Sequence, residues 1–486
     1  MQPMLRLLSE DMVQQVLDEA FSLLENTGIL VQSPAARQLL AENGAILSGD
    51  VARLPQGLVL DALVSAPHEF FLYNHHAEIV VRYGGDTVQF DPGSSGVNIF
   101  DPHTCQHRPA VTADLVQLIQ VTEMLPEYAA QSTSVVCSDV PKEIGDLYRL
   151  YLVLLYGSKP VITGAFNRQN TQAMIDMLAL YAGGREALRK RPLAVFDVCP
   201  TPPLIFSPFA AESLIDLAQA GIPAELISMP LAGAGSPVTI LGSIVQHAAE
   251  TLAGITLHQL AGPGAPVVWG GAPAVFDMRF GTTPMGAIET AMLDVGYAQV
   301  GKSLNLPTHT YLGASDSKLV DYQAGLESGI SAILGALGGI NMISGAGMLD
   351  FLAAQCVEKL VADAEAIRMA QRLLRGIQPL TETYALELFA GINFKADFLK
   401  QKATRQLFSK EQSLPSAVID RGSLRAWDEN GRSETVERAG KRAAELLAAY
   451  RRPEAPAGVE AELRQLVGGL ARQSGMDRLP ELPDPD

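Results

Sequence analysis

From Asp86 to Arg375 the chain alternates short apolar runs of β type with helical patterns, and this alternation limits the fold more than any other feature. The strand-type runs are Val88–Asp91, Gln131–Cys137, Pro160–Gly164, Leu193–Cys199, Ala224–Met229, Ala265–Gly270, Pro307–Tyr311 and Ile340–Ser344. Helical spacing fills the gaps, at Thr112–Leu125, Glu143–Leu155, Asn170–Tyr181, Pro208–Ala220, Val238–Leu260, Met285–Leu304 and Asp321–Leu337, and Phe351–Arg375 follows the last run. Strands that are apolar throughout and joined by helix-length crossovers pair in parallel, with helices covering the sheet. Eight such units in roughly 290 residues are the count and the span of a closed (β/α)8 TIM barrel. An open doubly wound sheet is the alternative, but no glycine-rich dinucleotide fingerprint follows any run.

The flanks differ from this core. Residues 1–85 read as an N-terminal helical cap: Leu7–Asn26 places Val13, Val16, Leu17, Phe21 and Leu24 at helical spacing and stops at Gly28, and Ala35–Asn43 repeats the style before Gly44. Residues 376–486 read as a C-terminal helical extension whose charged helix, Ser433–Tyr450, wraps the barrel or a neighbouring subunit, so a homo-oligomer is expected. Two stretches lack charge for more than twenty residues, Thr251–Phe276 and Ser328–Leu349, which is long enough for a bilayer span. Glycine in both, and proline in the first, divides each into a helix-sized and a strand-sized piece, so both are expected in the core.

Charge and cysteines narrow the function. With 53 acidic against 36 basic residues the net charge is −17, which disfavours nucleic acid and anionic membranes. Cys105, Cys137, Cys199 and Cys356 lie too far apart for a disulfide framework, and the acidic amphipathic N-terminus carries no signal pattern, so a cytoplasmic enzyme is expected.

In a parallel barrel, chemistry gathers at the carboxyl ends of the strands. Those ends read Asp91-Pro-Gly-Ser-Ser, Ser138-Asp139, Thr163-Gly-Ala-Phe166, Asp197-Val-Cys-Pro, Ser228 to Gly233, Trp269-Gly-Gly-Ala, His309 to Gly313 with Ser315-Asp-Ser-Lys318 behind it, and Ser344-Gly-Ala-Gly347. Polar groups are densest between Pro307 and Gly347. Asp316 and Lys318 there are either the polar edge of an active site or a pair that satisfies itself. Asp321 suits the cap of the helix that follows. Phe90, Phe100, Phe166, Phe196, Trp269, Phe276 and Tyr311 punctuate the same ends, as core or as a cage of π faces. His103, Cys105 and His107 lie in a proline-flanked loop without metal-ligand spacing, and no metal site is expected. Neither a serine-nucleophile elbow nor a phosphate loop is present.

Four runs carry a resemblance: GSKPVITGAF (157–166), the long central run from Ala220 to Gly271, DMRFGTTPMG (277–286) and SDSKLVDYQAGLESG (315–329). They resemble the trimethylamine methyltransferase family of corrinoid-dependent enzymes, and among them the members without pyrrolysine, such as glycine betaine methyltransferases. The resemblance implies a barrel that moves a methyl group from an amine onto the Co(I) corrinoid of a separate cognate protein, as in methanogenesis or methylotrophy, with no tightly bound cofactor of its own. Every position in this chain is an ordinary residue, which points to a quaternary amine such as glycine betaine. A quaternary nitrogen leaves as a neutral amine and needs no general acid, whereas trimethylamine is protonated at neutral pH. Charge is lost on the way to the transition state, so aromatic faces should serve better than a tight carboxylate, which would favour the ground state.

On this reading Trp269, Phe276 and Tyr311 form the cage, and Arg279 and His309 receive a betaine carboxylate. Arg279 could equally pair with Asp277 or Asp294. Asp316 and Lys318 stand as the catalytic candidates, and Gly270, Gly271, Gly345 and Gly347 keep the mouth open to the corrinoid. The alternatives are a methyltransferase for trimethylamine or another methylamine, a metal-dependent barrel lyase or hydrolase, and a non-catalytic scaffold.

Overall fold

The computed structural model describes residues 2–390, 394 and 398–483. Its centre is a set of parallel strands: β1 (Gln89–Pro92), β2 (Gln131–Ser132), β3 (Val161–Thr163), β4 (Ala194–Val198), β5 (Ala224–Ser228), β6 (Val267–Gly271), β7 (His309–Thr310) and β8 (Met342–Ala346). They form two ladders, in the order β2-β3-β4-β5-β6 and β7-β8-β1. The ladders meet at both flanks. Trp269 bridges Thr308 in parallel, Gly96 bridges Val135, and the Ala129 amide donates to the Phe90 carbonyl at 2.8 Å. The result is a mixed α/β fold.

Helices follow the strands: α1 (Thr112–Met124), α2 (Gly145–Tyr156), α3 (Arg168–Ala182), α4 (Pro208–Ala220), α5 (Ile240–Ala261), α6 (Ile288–Ser303), α7 (Tyr322–Leu337) and α8 (Val357–Leu374). Side-chain caps start several of them: Asn167, Ser207, Thr239 and Asp321 each accept an amide of the first turn. β5, β6 and β8 are buried along their whole length, which is why they read as continuous apolar runs. The two uncharged stretches resolve as expected into the end of α5 plus β6, and most of α7 plus β8. Among the described residues no helix is long and apolar enough to cross a membrane.

Two strands are shorter than their sequence signal. β7 keeps only His309–Thr310, because Pro307 has no N–H to give and contributes only its carbonyl, to Trp269 N at 2.8 Å. β2 keeps Gln131–Ser132, and the residues beyond it turn to meet Gly96.

The first 85 residues are mixed rather than helical. Helices Glu10–Ser22, Pro34–Glu42 and Gln56–Ser65 share this segment with Ile29–Val31, Ile46–Ser48 and Val51–Arg53, three-residue strands too short to show a period. Ile29–Val31 pairs in parallel with Ile205–Phe206 just past β4. The hairpin Phe70–Tyr73/Ile79–Tyr83 sends Phe70, Leu72, Val81 and Tyr83 into one cluster with Ile162, Val195, Val268 and Met342 from four strands and Ala130 just before β2. At the other end of the chain, helix Thr435–Ala449 packs on α8 and α1, and Val459–Gln473 packs on α2 and α3.

Candidate active site

Strand alternation sorts side chains into two sets. Val195, Val268 and Met342 define the inward face through their shared cluster with the hairpin. Two residues further on, β4 presents Asp197 and β8 presents Ser344. Glu225 stands level with Asp197 and Val268 in the β5 register, and Asp91 pairs with Ser344 across β8 and β1. His309 completes the group from β7. Asp91, Glu225, His309 and Ser344 are buried, and Asp197 is half-buried.

Their bonds form a directed chain. Ser344 Oγ donates to Asp91 Oδ1, so the same oxygen accepts from His309 Nε2–H, 2.8 Å away. His309 Nδ1 is then the bare nitrogen of the ring, and it lies 2.5 Å from Glu225 Oε1. A proton on Glu225 fits this contact. Burial pushes the Glu225 carboxyl well above its usual range and pulls His309 down to about 4, so it favours the neutral form of both groups. Burial raises Asp91 as well, against the hydrogen bond from Ser344.

Asp197 belongs to a second branch. Its Oδ2 accepts from Tyr311 O–H at 2.8 Å, and Tyr311 lies 3.4 Å from Ser94 Oγ. Burial, then the neighbouring Glu225, pushes Asp197 up to about 7. Tyr311 stands edge-on to His309, with ring centroids 4.9 Å apart, and packs against the apolar cluster of Ile227, Ala272, Ala274 and Met285. Buried oxygens of Asp91 (Oδ2), Asp197 (Oδ1) and Glu225 (Oε2) have no hydrogen-bond partner among the described residues. Native interiors rarely leave such atoms unpaired, and ordered water, an ion or a functional role accounts for the exceptions. Arg149, fully buried on α2, donates from Nη1 to Ser95 Oγ and the Thr133 carbonyl and from Nη2 to the Gly164 carbonyl, its Nε has no partner among the described residues, and its guanidinium lies 4.8 Å from the Phe166 ring centroid.

The residues chosen from sequence separate. His309 and Tyr311 share the interior. Trp269 does not join them: it lies on the outward face of β6, fully buried, with Nε1 donating to the Tyr297 carbonyl at 3.0 Å. Gly301 of α6 rests on it, since a Cβ there would come within 2.6 Å of the indole. Phe276 is half-buried just past a rim strand, Ala274–Val275, that pairs with Leu231–Ala232. Arg279 is 80% exposed and binds Asp277 two residues away at 2.6 Å, the alternative pairing weighed from sequence. A three-aromatic cage with Arg279 beside it is therefore absent among the described residues.

Asp316 accepts the amides of Met285 and Gly286 at 2.8 and 3.0 Å, so it ties down the connection after β6; burial lifts it to about 6. Lys318 donates to the Asp316 carbonyl at 2.7 Å, not to its carboxylate, and covers the Phe351 ring. The glycines do not hold a mouth open, because the chain's own atoms fill the space beside each. A Cβ would meet Glu225 Cγ at Gly270 (2.8 Å), His247 Nε2 at Gly271 (2.4 Å), the Leu312 carbonyl at Gly345 (2.4 Å) and Gln355 Oε1 at Gly347 (2.2 Å). Gly270 matters for a different reason: it makes room for Glu225.

Asp91, Asp197 and Ser344 were visible as strand-end residues without being singled out, and Glu225 and Arg149 were passed over. The signal for Glu225 was a lone carboxylate inside the apolar run Ala224–Ser228. Among the described residues no group of three or more His, Cys, Asp or Glu side chains is arranged to hold a metal.

The sequence model of a family described as trimethylamine methyltransferase matches residues 1–474. This chain belongs to the trimethylamine methyltransferase family. Members of that family work with corrinoid proteins, and the chain is a methyltransferase. It is 31% identical to the trimethylamine methyltransferase of Desulfitobacterium hafniense strain DCB-2 over 97% of this chain and 95% of that protein. To the Methanosarcina thermophila trimethylamine methyltransferase it is 30% identical, over 91% of this chain and 93% of the relative. A glycine betaine methyltransferase of Desulfitobacterium hafniense strain Y51 is 27% identical over 97% of this chain and 98% of its own. The fold is similar to that of the Methanosarcina barkeri monomethylamine methyltransferase, with a TM-score of 0.53 at 12% identity over 96% of this chain and 88% of that one.

Proposed function

We propose that this chain transfers a methyl group from a quaternary amine, glycine betaine or a related betaine, to the Co(I) corrinoid of a cognate corrinoid protein. The observation that carries the reading is a family member built only of ordinary residues, with an acid–histidine cluster sequestered in its interior. The partner's corrinoid supplies the nucleophile when it is bound. What this chain supplies is placement of the methyl donor and exclusion of water. A large cofactor carried by another protein must approach from the carboxyl ends of the strands. Phe166, Met229, Met278 and Phe280, on connections leaving those ends, are exposed apolar side chains suited to a partner's surface.

The site of the methyl donor on this reading lies beside Asp197, Tyr311 and the Ile227–Met285 cluster, next to His309 and Glu225. Neutral His309 and protonated Glu225 add no net charge there, so the cation is not held too firmly to react. The architecture is a (β/α)8 barrel, which the two ladders and the bridges at both their flanks support. It spans residues 86–375 between the segments 1–85 and 376–486. A cytoplasmic homo-oligomer is part of the same reading, and four free cysteines agree with a reducing compartment. The trimethylamine methyltransferases at 30–31% identity favour a second substrate, trimethylamine or another methylamine.

The test is methyl transfer to Co(I), on the cognate corrinoid protein and on free cobalamin, across a panel of betaines, other quaternary amines and methylamines. Turnover with a quaternary donor and none with trimethylamine is expected. Turnover with methylamines alone would move the reading to the second substrate class, and no turnover with any donor would overturn it.

A further inference from the structure

Of the three carboxyl groups on the inward strand faces, two are engaged with the His309 chain: Glu225 faces His309 Nδ1, and Asp91 accepts the Ser344 hydroxyl that His309 in turn supports. Asp197 stands apart from it. Its one bond is the O–H of Tyr311 on Oδ2, Oδ1 is buried without a partner, and no cationic side chain among the described residues lies in ion-pair reach. Arg149, whose charge also acts on Asp197, turns its two terminal nitrogens to Ser95, Thr133 and Gly164. Asp197 is also the carboxyl joined through Tyr311 to the apolar wall of Ile227, Ala272, Ala274 and Met285. An apolar wall beside one unpaired acid suits an N-methylated cation: the methyl groups find the wall and the charge finds the acid.

We propose that Asp197 is the counter-ion of the substrate's quaternary nitrogen, and that each cation enters in exchange for one proton. This rests on the quaternary-amine reading and sharpens it by naming the residue that reads the charge. In the exchange the O–H bond of the Asp197 carboxylic acid breaks, the proton passes to solvent, and the carboxylate is left beside the cation; nothing is oxidised and no bond to the substrate forms. Tyr311 keeps its O–H on Oδ2 and steadies the anion. The groups facing Asp197 are Asp91 on β1, Glu225 on β5, His309 on β7, Tyr311 beyond it, Arg149 on α2, Cys199 two residues along and Tyr83 from the hairpin. With Glu225 set against His309, Asp91 accepting from Ser344 and His309 kept neutral by burial, Asp197 is the group left to answer a positive charge. The free energy of its ionisation is subtracted from the ion pair, so the cation is held less firmly than by a resident carboxylate, and less of that attraction must be given up at the transition state.

Isothermal titration calorimetry of the full chain with glycine betaine and other quaternary amines, in buffers of low and high ionisation enthalpy, reads the exchange directly. Close to one proton should be released per cation at pH 6 and almost none at pH 8.5, with affinity rising about tenfold per pH unit below pH 7 and levelling above it. The carbon isostere 3,3-dimethylbutanoate should release none. In Asp197→Asn the binding should be weaker and the proton release gone. Tyr311→Phe removes a donor that favours the carboxylate, so the bend in affinity should move to higher pH, a shift that a packing role alone would not produce. Wild-type binding without proton release, or unchanged release in Asp197→Asn, would overturn the assignment and leave the quaternary-amine reading standing. Failure of every quaternary amine to bind would overturn that reading first, and this assignment with it.

Discussion

Polar residues concentrate in two regions, and the structure uses them in opposite ways. In the loop after β7, Ser315, Asp316, Ser317 and Lys318 are tied to backbone amides, a backbone carbonyl and the carboxylates of Glu327 and Asp321. On the inward strand faces, Asp91, Asp197 and Glu225 keep buried oxygens without partners. The loop is denser in polar side chains, yet the strands hold the reactive arrangement. What marks a site is the unmet demand of buried groups rather than polarity alone.

Substitution should separate the two regions most widely at Glu225. Glu225→Gln keeps the volume but puts an amide against His309, and methyl transfer should fall about 100-fold or more with the fold intact by circular dichroism. Full activity would reduce the inner cluster to packing. Asp316→Ala should act in the opposite manner: two amides lose their acceptor, unfolding free energy should drop by about 2–3 kcal/mol in urea titrations, and kcat well below Tm should hold.

On the pH axis the two regions should part in sign. His309 titrates lower when folded, to about 4, so its contribution is whole above pH 6.5 and is lost as pH falls toward 4. Asp316 titrates higher when folded, at about 6, so its contribution is whole below pH 3.8 and is lost as pH rises through 6. Stability curves of His309→Gln and Asp316→Asn, each subtracted from wild type, should therefore slope in opposite directions between pH 4 and 6.5. Parallel slopes would break the contrast. Trp269→Phe should cost about 1 kcal/mol for the indole hydrogen bond and leave the KM for the amine within twofold; a large rise in KM would return Trp269 to the site. Arg279→Ala should have the smallest effect, with melting temperature and amine affinity both unchanged, since its one ion pair is in water.

Much of the layout was legible before any coordinates. The runs predicted from Val88 to Ser344 coincide with β1 to β8 to within a few residues, except where Pro307 and the turn after Ser132 cut β7 and β2 short. The candidate site was legible only in part. His309 lies inward and Trp269 outward, yet both are aromatic rings at strand ends, and the difference is one of phase: an inward or outward start decides every second residue. In the sequence the four glycines read as openings, yet each is filled from across the fold, which local sequence does not show.

By itself the sequence determined the order of strands and helices, because hydrophobic period and turn residues act between neighbours in the chain. It also determined the family, through runs shared along nearly its whole length. Only the tertiary structure decided which acids meet. Asp91, Asp197, Glu225, His309 and Ser344 are spread over more than 250 residues, and bringing them together depends on strand register and on burial that no single segment encodes. The protons these groups hold follow from the same cause, since water is displaced from them only when every layer around them has packed.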